Sequence, residues 1–278
     1  MNAVAARSAT TLAPREAHPN VRIRIASLGK RYGTLQVFRG LDLEVGDREI
    51  VSIVGASGCG KTTLLRCVDG LIAADEGEIW VNGERVRAPT AGMAMVFQHF
   101  GLFPWKTVFA NVAYGLKMAG ASRAEIGERV PHFIALVGLK GFEHAYPYQI
   151  SGGMQQRCGL ARALAIEPTV LLMDEPFAAV DAQTREIPQF ELLRIWEQRP
   201  TSMLFVTHSI EEAVLMGDRV VVLKGRPSAI HETIAVDLPR PRSRDTLSAP
   251  RFADLRERVW STLWSEARQA EFQLERGR

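Results

Sequence analysis

Gly55-Ala56-Ser57-Gly58-Cys59-Gly60-Lys61-Thr62 sets glycines around a short loop and ends it on an amine and a hydroxyl. Glycines let successive backbone N–H groups converge on an anion. A helix starting at the end of the loop adds its positive dipole end. Lys61 can then reach β- and γ-phosphate oxygens, and the Thr62 hydroxyl suits Mg²⁺. Far along the chain, the apolar run Thr169 to Met173 ends in Asp174-Glu175. Two carboxylates directly after a buried strand are costly unless they meet cations or donors. Asp174 is placed to bind the Mg²⁺ shell, and Glu175 to polarise an attacking water. Ser151-Gly152-Gly153 opens a third such stretch, a second anion-binding helix start on one chain.

These groups need elements to hold them. Glu49 to Val54 is an apolar, β-branched run ahead of the glycine loop, and Thr63-Leu64-Leu65-Arg66 follows it, which reads as strand, loop, helix. Further strands are expected at Val21 to Leu28, Leu41 to Val45, Met93 to Phe97, Ser202 to Val206 and Arg219 to Leu223. Glu78 to Val81 enters a hairpin turn at Asn82-Gly83. Helical texture runs from Val108 to about Leu139, punctuated by Gly120 and Gly138, and again from Ser151 to Ala165. Strands alternating with helices predict an α/β fold with a mostly parallel sheet. Pro239-Arg240-Pro241-Arg242 reads as a linker. Beyond it, Phe252, Leu255, Val259 and Leu263 fall at helical spacing beside Trp260 and Trp264. That helix either caps its own domain or faces a partner or membrane.

The 278 residues, 46% hydrophobic and 23% charged, match an ordinary globular protein and exclude a disordered, collagen-like or coiled-coil chain. Net charge is only +3, with the cations spread along the chain, so nothing points to nucleic acid. No apolar run approaches the roughly 18 residues that span a bilayer. Residues 1–20 lack the apolar core of a secretory signal and read as a loose extension. Cys59, Cys67 and Cys158 show no CxxC pairing, which suits a reducing cytosol and thiols used as small apolar residues.

The loop at Gly55–Thr63, the Ser151-Gly152-Gly153-Met154-Gln155-Gln156-Arg157 segment and Asp174-Glu175-Pro176, in that order, resemble the ATPases of ABC transporters over roughly residues 21–237. The resemblance implies a P-loop NTPase core with a mostly parallel sheet, an N-terminal antiparallel β subdomain, and a helical subdomain over about 99–165. It implies ATP and Mg²⁺ as the bound pair. ATP would be held by Gly55, Ser57, Gly58, Cys59, Gly60, Lys61, Thr62 and Thr63, and Mg²⁺ by Thr62, Gln98 and Asp174. Tyr32 matches the aromatic that stacks on adenine; a plain core or surface tyrosine is the other reading. Gln98 matches the Q-loop glutamine that touches Mg²⁺ and water, and His208 the switch histidine on the γ-phosphate. Catalysis would then rest on Glu175, His208, Gln98 and Lys61. Asp181 matches the aspartate that bridges subunits. In that family two copies pair head to tail, so Ser151, Gly152, Gly153 and Gln155 of one close over the ATP of the other.

Phe97-Gln98-His99-Phe100-Gly101-Leu102-Phe103-Pro104-Trp105, Asp181-Ala182-Gln183-Thr184-Arg185 and Pro239 to Arg242 resemble the nitrate/sulfonate/taurine importers within the family. That implies a separate permease, an indirect partner in a solute-binding protein, no nucleic acid, and a place on the cytoplasmic face of the membrane. Leu102 to Trp105 either packs into the core or forms a groove for the permease. Several positions depart from the pattern: Ile150 for Leu, Ala179-Val180 before Asp181, Ser209 after the histidine, and Asp69 where Ala is usual. Pro188 falls where a helix is expected and predicts a kink or a delayed start. Two other readings stand beside this one. A soluble ABC-type ATPase acting on DNA or ribosomes would carry a long insertion or a second glycine loop, yet only about 50 residues separate Gln98 from Ser151. A non-hydrolysing regulator would lack the Glu175 and His208 pair.

Overall fold

The computed structural model describes residues 20–98, 100–178, 180, 185–223 and 225–276, with side chains to residue 264. The first two strands are β1 (Val21–Tyr32) and β2 (Leu35–Gly46), followed by β3 (Ile50–Gly55) and helix α1 (Lys61–Val68). Next come β4 (Glu76–Val81), β5 (Glu84–Arg85), β6 (Met93–Val96), α2 (Val108–Met118), α3 (Arg123–Leu136) and α4 (Gly152–Ala165). The chain continues through β7 (Val170–Asp174), α5 (Glu186–Gln198), β8 (Ser202–Val206), α6 (Ile210–Met216), β9 (Arg219–Leu223) and β10 (Ile230–Ala235). It closes with α7 (Arg244–Leu247) and α8 (Pro250–Arg276).

Two sheets form. One is antiparallel in the order β2-β1-β4-β5. The other runs β10-β9-β3-β8-β7-β6, parallel throughout except for β10 at its edge. The largely apolar runs of the parallel strands, broken in β3 only by the buried Ser52, follow from burial on both faces. Along β3, Ile50 and Val54 join one core while Val51 and Ile53 join the other. Along β8, Met203 and Phe205 divide in the same way from Leu204 and Val206. One core is shared with α2 to α6 and α8; the other lies under α1 and the antiparallel sheet. Burial pushes the Cys67 thiol up to about 11 and the Cys158 thiol up to about 12, so both act as small apolar groups.

Three elements differ from expectation. β1 and β2 are each 12 residues long, well beyond Leu28 and ahead of Leu41. Register shifts, with Ser27 at φ +50°, let the pair continue past its irregular middle. β10 has no counterpart in the sequence reading; its Ile-His-Glu-Thr-Ile-Ala mixes polar and apolar residues as an edge strand does. The single helical stretch expected over 108–139 is two helices. Gly120, at φ +77°, ends the turn after α2, and Ser122 and Glu125 form a capping box that starts α3. α5 begins at Glu186, so Pro188 sits in its first turn, where its missing N–H has no helical partner to lose. The Asn82-Gly83 turn forms, with both residues at positive φ.

Pro239 to Arg242 is packed down rather than loose. Arg240 stacks 4.2 Å from the Trp196 ring and bonds Asp218, and the buried Arg242 guanidinium donates to the Val214, Leu215 and Gly217 carbonyls that end α6. α8 turns Phe252, Leu255 and Val259 into the core, which supports the reading of a helix capping its own domain. Trp260 and Trp264 stack on each other outside it, at 5.9 Å. Among the described residues, no helix is long and apolar enough to cross a membrane.

Candidate functional site

Strand order places the chemistry. β3, β8 and β7 are neighbours, and the glycine loop, His208 and Asp174-Glu175 leave their C-terminal ends side by side. Ligands in open parallel sheets bind at this end of the strands.

The loop turns through Gly58 at φ +74° and Gly60 at φ +98° before α1 begins. A Cβ on Gly60 would collide with Val37 and Phe38, so the close approach of loop to β2 demands glycine there. The Lys61 ammonium folds back across the loop, donating to the carbonyls of Gly55 (2.8 Å) and Ala56 (3.3 Å). The Thr62 hydroxyl donates to Asp174 Oδ1 at 2.9 Å, tying α1 to the end of β7. Burial pushes the Asp174 carboxyl above its usual range, the neighbouring Glu175 charge adds to this, and the Thr62 hydroxyl opposes it.

Glu175 stands at φ +47°, with its N–H on the Val206 carbonyl (2.9 Å), so the chain turns sharply off β7 against β8. Its Oε2 lies 3.1 Å from His208 Nδ1. The histidine is held from below. Thr207 donates to the buried Glu212 (2.5 Å), which also accepts from Gln189 (3.2 Å) and pairs with Arg185 at 4.0 Å. Burial raises the Glu212 carboxyl, and these three partners offset it.

A cavity of about 690 Å³ gathers Tyr32, Ser57, Gly58, Gly60, Lys61, Thr62, Thr63, Gln98, Glu175 and His208. Gly55 and the buried Cys59 form the loop's base. Tyr32, half exposed, sits at the tip of the β1–β2 hairpin with Lys30 Nζ 5.4 Å from its ring centre. Leu35, Val37 and Arg226 also line the cavity. No motif marks them in the sequence, because their place depends on contacts such as Arg226 to Gly58, 168 residues apart.

The other candidate residues lie elsewhere. Ser151, Gly152, Gly153 and Gln155 do not line the cavity. They start α4, where Ser151 accepts from the Met154 N–H (3.3 Å) and Gln155 donates to the Pro147 carbonyl (2.9 Å). A Cβ on Gly152 or Gly153 would meet nothing within 4 Å, so this helix start faces open space. Asp181 lies outside the described residues. Leu102 packs on the core, and Phe103 lies 4.6 Å from Tyr114, while Trp105 is 71% exposed.

The donor set fits a nucleotide with a hard cation. The loop is a cradle that side chains would fill, an amine spans it, and a hydroxyl and a carboxylate adjoin it. Among the described residues, no group of three or more His, Cys, Asp or Glu could hold a metal without such help.

Comparison with known proteins agrees with this geometry. Residues 38–178 match the family model described as ABC transporter. An uncharacterized ABC transporter ATP-binding protein of Methanocaldococcus jannaschii is 46% identical over 250 residues, 88% of this chain and 92% of that one. The aliphatic sulfonates import ATP-binding protein of Bacillus cereus is 43% identical over 83% of this chain and 89% of its own length. Among solved structures, an ATP-binding cassette dimer in a post-hydrolysis state with ADP and Pi superposes with a TM-score of 0.69 at 27% identity, covering 78% of this chain and all of that one. The chain belongs to the ABC transporter family, in which it is an ATP-binding, ATP-hydrolysing subunit.

Proposed function

We propose that this chain energises an importer of a small solute such as nitrate, a sulfonate, taurine or a related compound, working through a separate permease from the cytoplasmic face of the membrane. The similarity to the aliphatic-sulfonate import protein supports the importer type. The observation that carries the catalytic reading is the convergence of Lys61, Thr62, Gln98, Glu175 and His208 on one cavity.

ATP would lie along the glycine loop, its adenine against Tyr32 and its β-phosphate under the loop N–H groups. Thr62, Asp174 and Gln98 would hold Mg²⁺, which when bound neutralises the β- and γ-oxygens. Lys61 swings from the Gly55 and Ala56 carbonyls onto the phosphates. Glu175 accepts a hydrogen bond from the attacking water and aims it in line with the γ-phosphate. His208, held 3.1 Å from Glu175, orients that carboxylate and meets the γ-phosphate on its far side. The Ser151 to Gly153 helix start of a second copy would supply the donors for the developing charge.

Phosphate release by purified protein tests the reading. Lys61→Ala and Glu175→Gln each abolish turnover, and only Lys61→Ala also loses ATP binding. Turnover surviving in the double variant would refute it. Growth of a deletion strain on sulfonate, taurine or nitrate as sole source then selects the solute.

A further inference from the structure

We infer that Arg226 and Ser228, in the β9–β10 turn, position the glycine loop for phosphate binding. The inference rests on the nucleotide-binding reading of the cavity and adds two residues to it. Arg226 Nε donates to the Gly58 carbonyl at 2.7 Å. The Ser228 hydroxyl lies 2.5 Å from the Cys59 carbonyl and also reaches the Gly225 carbonyl within its own turn. The Ser228 N–H donates to the Val37 carbonyl at 2.6 Å, which fixes the turn to β2. Two consecutive loop carbonyls are thus held by side chains of one distant segment, one of which, Arg226, also lines the cavity.

Trans peptide geometry converts this into an effect on the inner face. In each peptide unit the C=O and the following N–H point in opposite directions. With the Gly58 carbonyl held by Arg226, the Cys59 N–H turns the opposite way onto the Ala56 carbonyl (3.2 Å) and closes the loop's first turn. With the Cys59 carbonyl held by the buried Ser228, the Gly60 N–H points away from that serine, and Gly60 itself lines the cavity. Lys61 engages the remaining carbonyls, those of Gly55 and Ala56. When Lys61 leaves them for phosphate, Arg226 and Ser228 remain, with the Cys59 to Ala56 bond, to keep the loop's shape. Arg226 also closes over Gly58, where a Cβ would stand 2.5 Å from Nη2. A preorganised loop binds more tightly because less ordering remains to be done on binding.

Equilibrium titration of the full chain with Mg-ADP, alongside steady-state ATP hydrolysis and thermal melting, tests this. Arg226→Ala and Ser228→Ala each raise the ADP dissociation constant about tenfold, the scale of one lost hydrogen bond. Both raise KM for ATP in step and leave kcat at saturation within about twofold. Arg226→Lys, which keeps a donor on a long stem, recovers part of the affinity. Ser228 is wholly buried, so a loss there acts through the loop and not by touching nucleotide. If Ser228→Ala fails to fold, amide exchange of residues 56–60 in nucleotide-free Arg226→Ala decides, because Arg226 lines the cavity and affinity alone would not separate positioning from direct contact. Faster exchange than wild type supports the inference and unchanged exchange overturns it. Variants that fold and bind ADP as wild type does would overturn the inference, as would a fall in kcat with unchanged affinity. Wild-type protein that binds no ADP would instead sink the nucleotide reading beneath it.

Discussion

Glu175 occupies left-handed backbone at φ +47°, a conformation that costs a non-glycine residue about 1–2 kcal/mol. Strain retained at such a position marks a side chain whose placement matters more than its comfort. Its carboxylate meets His208 and the cavity from there. Glu175→Gly therefore abolishes ATP turnover while keeping a melting temperature equal to or above wild type, whereas Glu175→Gln loses turnover and keeps the strain. His208→Ala lowers kcat by about 10²–10³ and changes ATP affinity little, a split that steady-state kinetics reads directly. Glu175 was legible from type and spacing, as an acid after a buried strand, whereas His208 was legible through the family resemblance. What spacing could not supply was Glu212 beneath them. That glutamate sits in an ordinary amphipathic helix, and only the fold brings Thr207, Gln189 and Arg185 onto it.

Elements carry these residues, and their ends are where charge is decisive. Asp69 closes α1 at its C-terminus, where the helix dipole disfavours an anion, and burial pushes its carboxyl up to about 6. An acid with a raised folded pKa keeps its proton longer in the native state. It opposes folding once ionised, so the cost appears as pH rises from about 4 to about 6 and is complete above that. Asp69→Asn then stabilises the protein at pH 8 by up to about 3 kcal/mol, and thermal melts show the gain shrinking as pH falls toward 4. Arg242 acts oppositely at the end of α6. Its removal by Arg242→Ala leaves the Val214, Leu215 and Gly217 carbonyls buried without their donor, and costs about 2–4 kcal/mol in denaturant unfolding. The sequence shows Pro-Arg-Pro-Arg as a linker because local composition carries no sign of burial. The parallel strands were readable for the converse reason. Both their faces are covered, so β7, β8 and β9 carry continuous apolar runs between polar ends, and β3 is interrupted only by the buried Ser52. β10 escaped notice because an edge strand with one exposed face looks like a polar loop.

At the scale of the whole molecule, the two anion-binding helix starts point to different places. The α1 start closes the cavity, while the α4 start, with Ser151, Gly152 and Gly153, faces open space away from it. A chain with both halves of a site and neither complete is suited to pairing head to tail, so that each copy finishes the other's site. Under the proposed function, hydrolysis would then consume the bridging ATP and separate the pair, and that motion would drive the separate permease. The most direct test is light scattering of purified Glu175→Gln protein during size exclusion, with and without Mg-ATP. The pairing predicts a mass of 30.8 kDa without nucleotide and twice that with Mg-ATP, returning to monomer when Ser151→Arg is added. Glu175→Gln protein that binds Mg-ATP and still elutes as a monomer would contradict it.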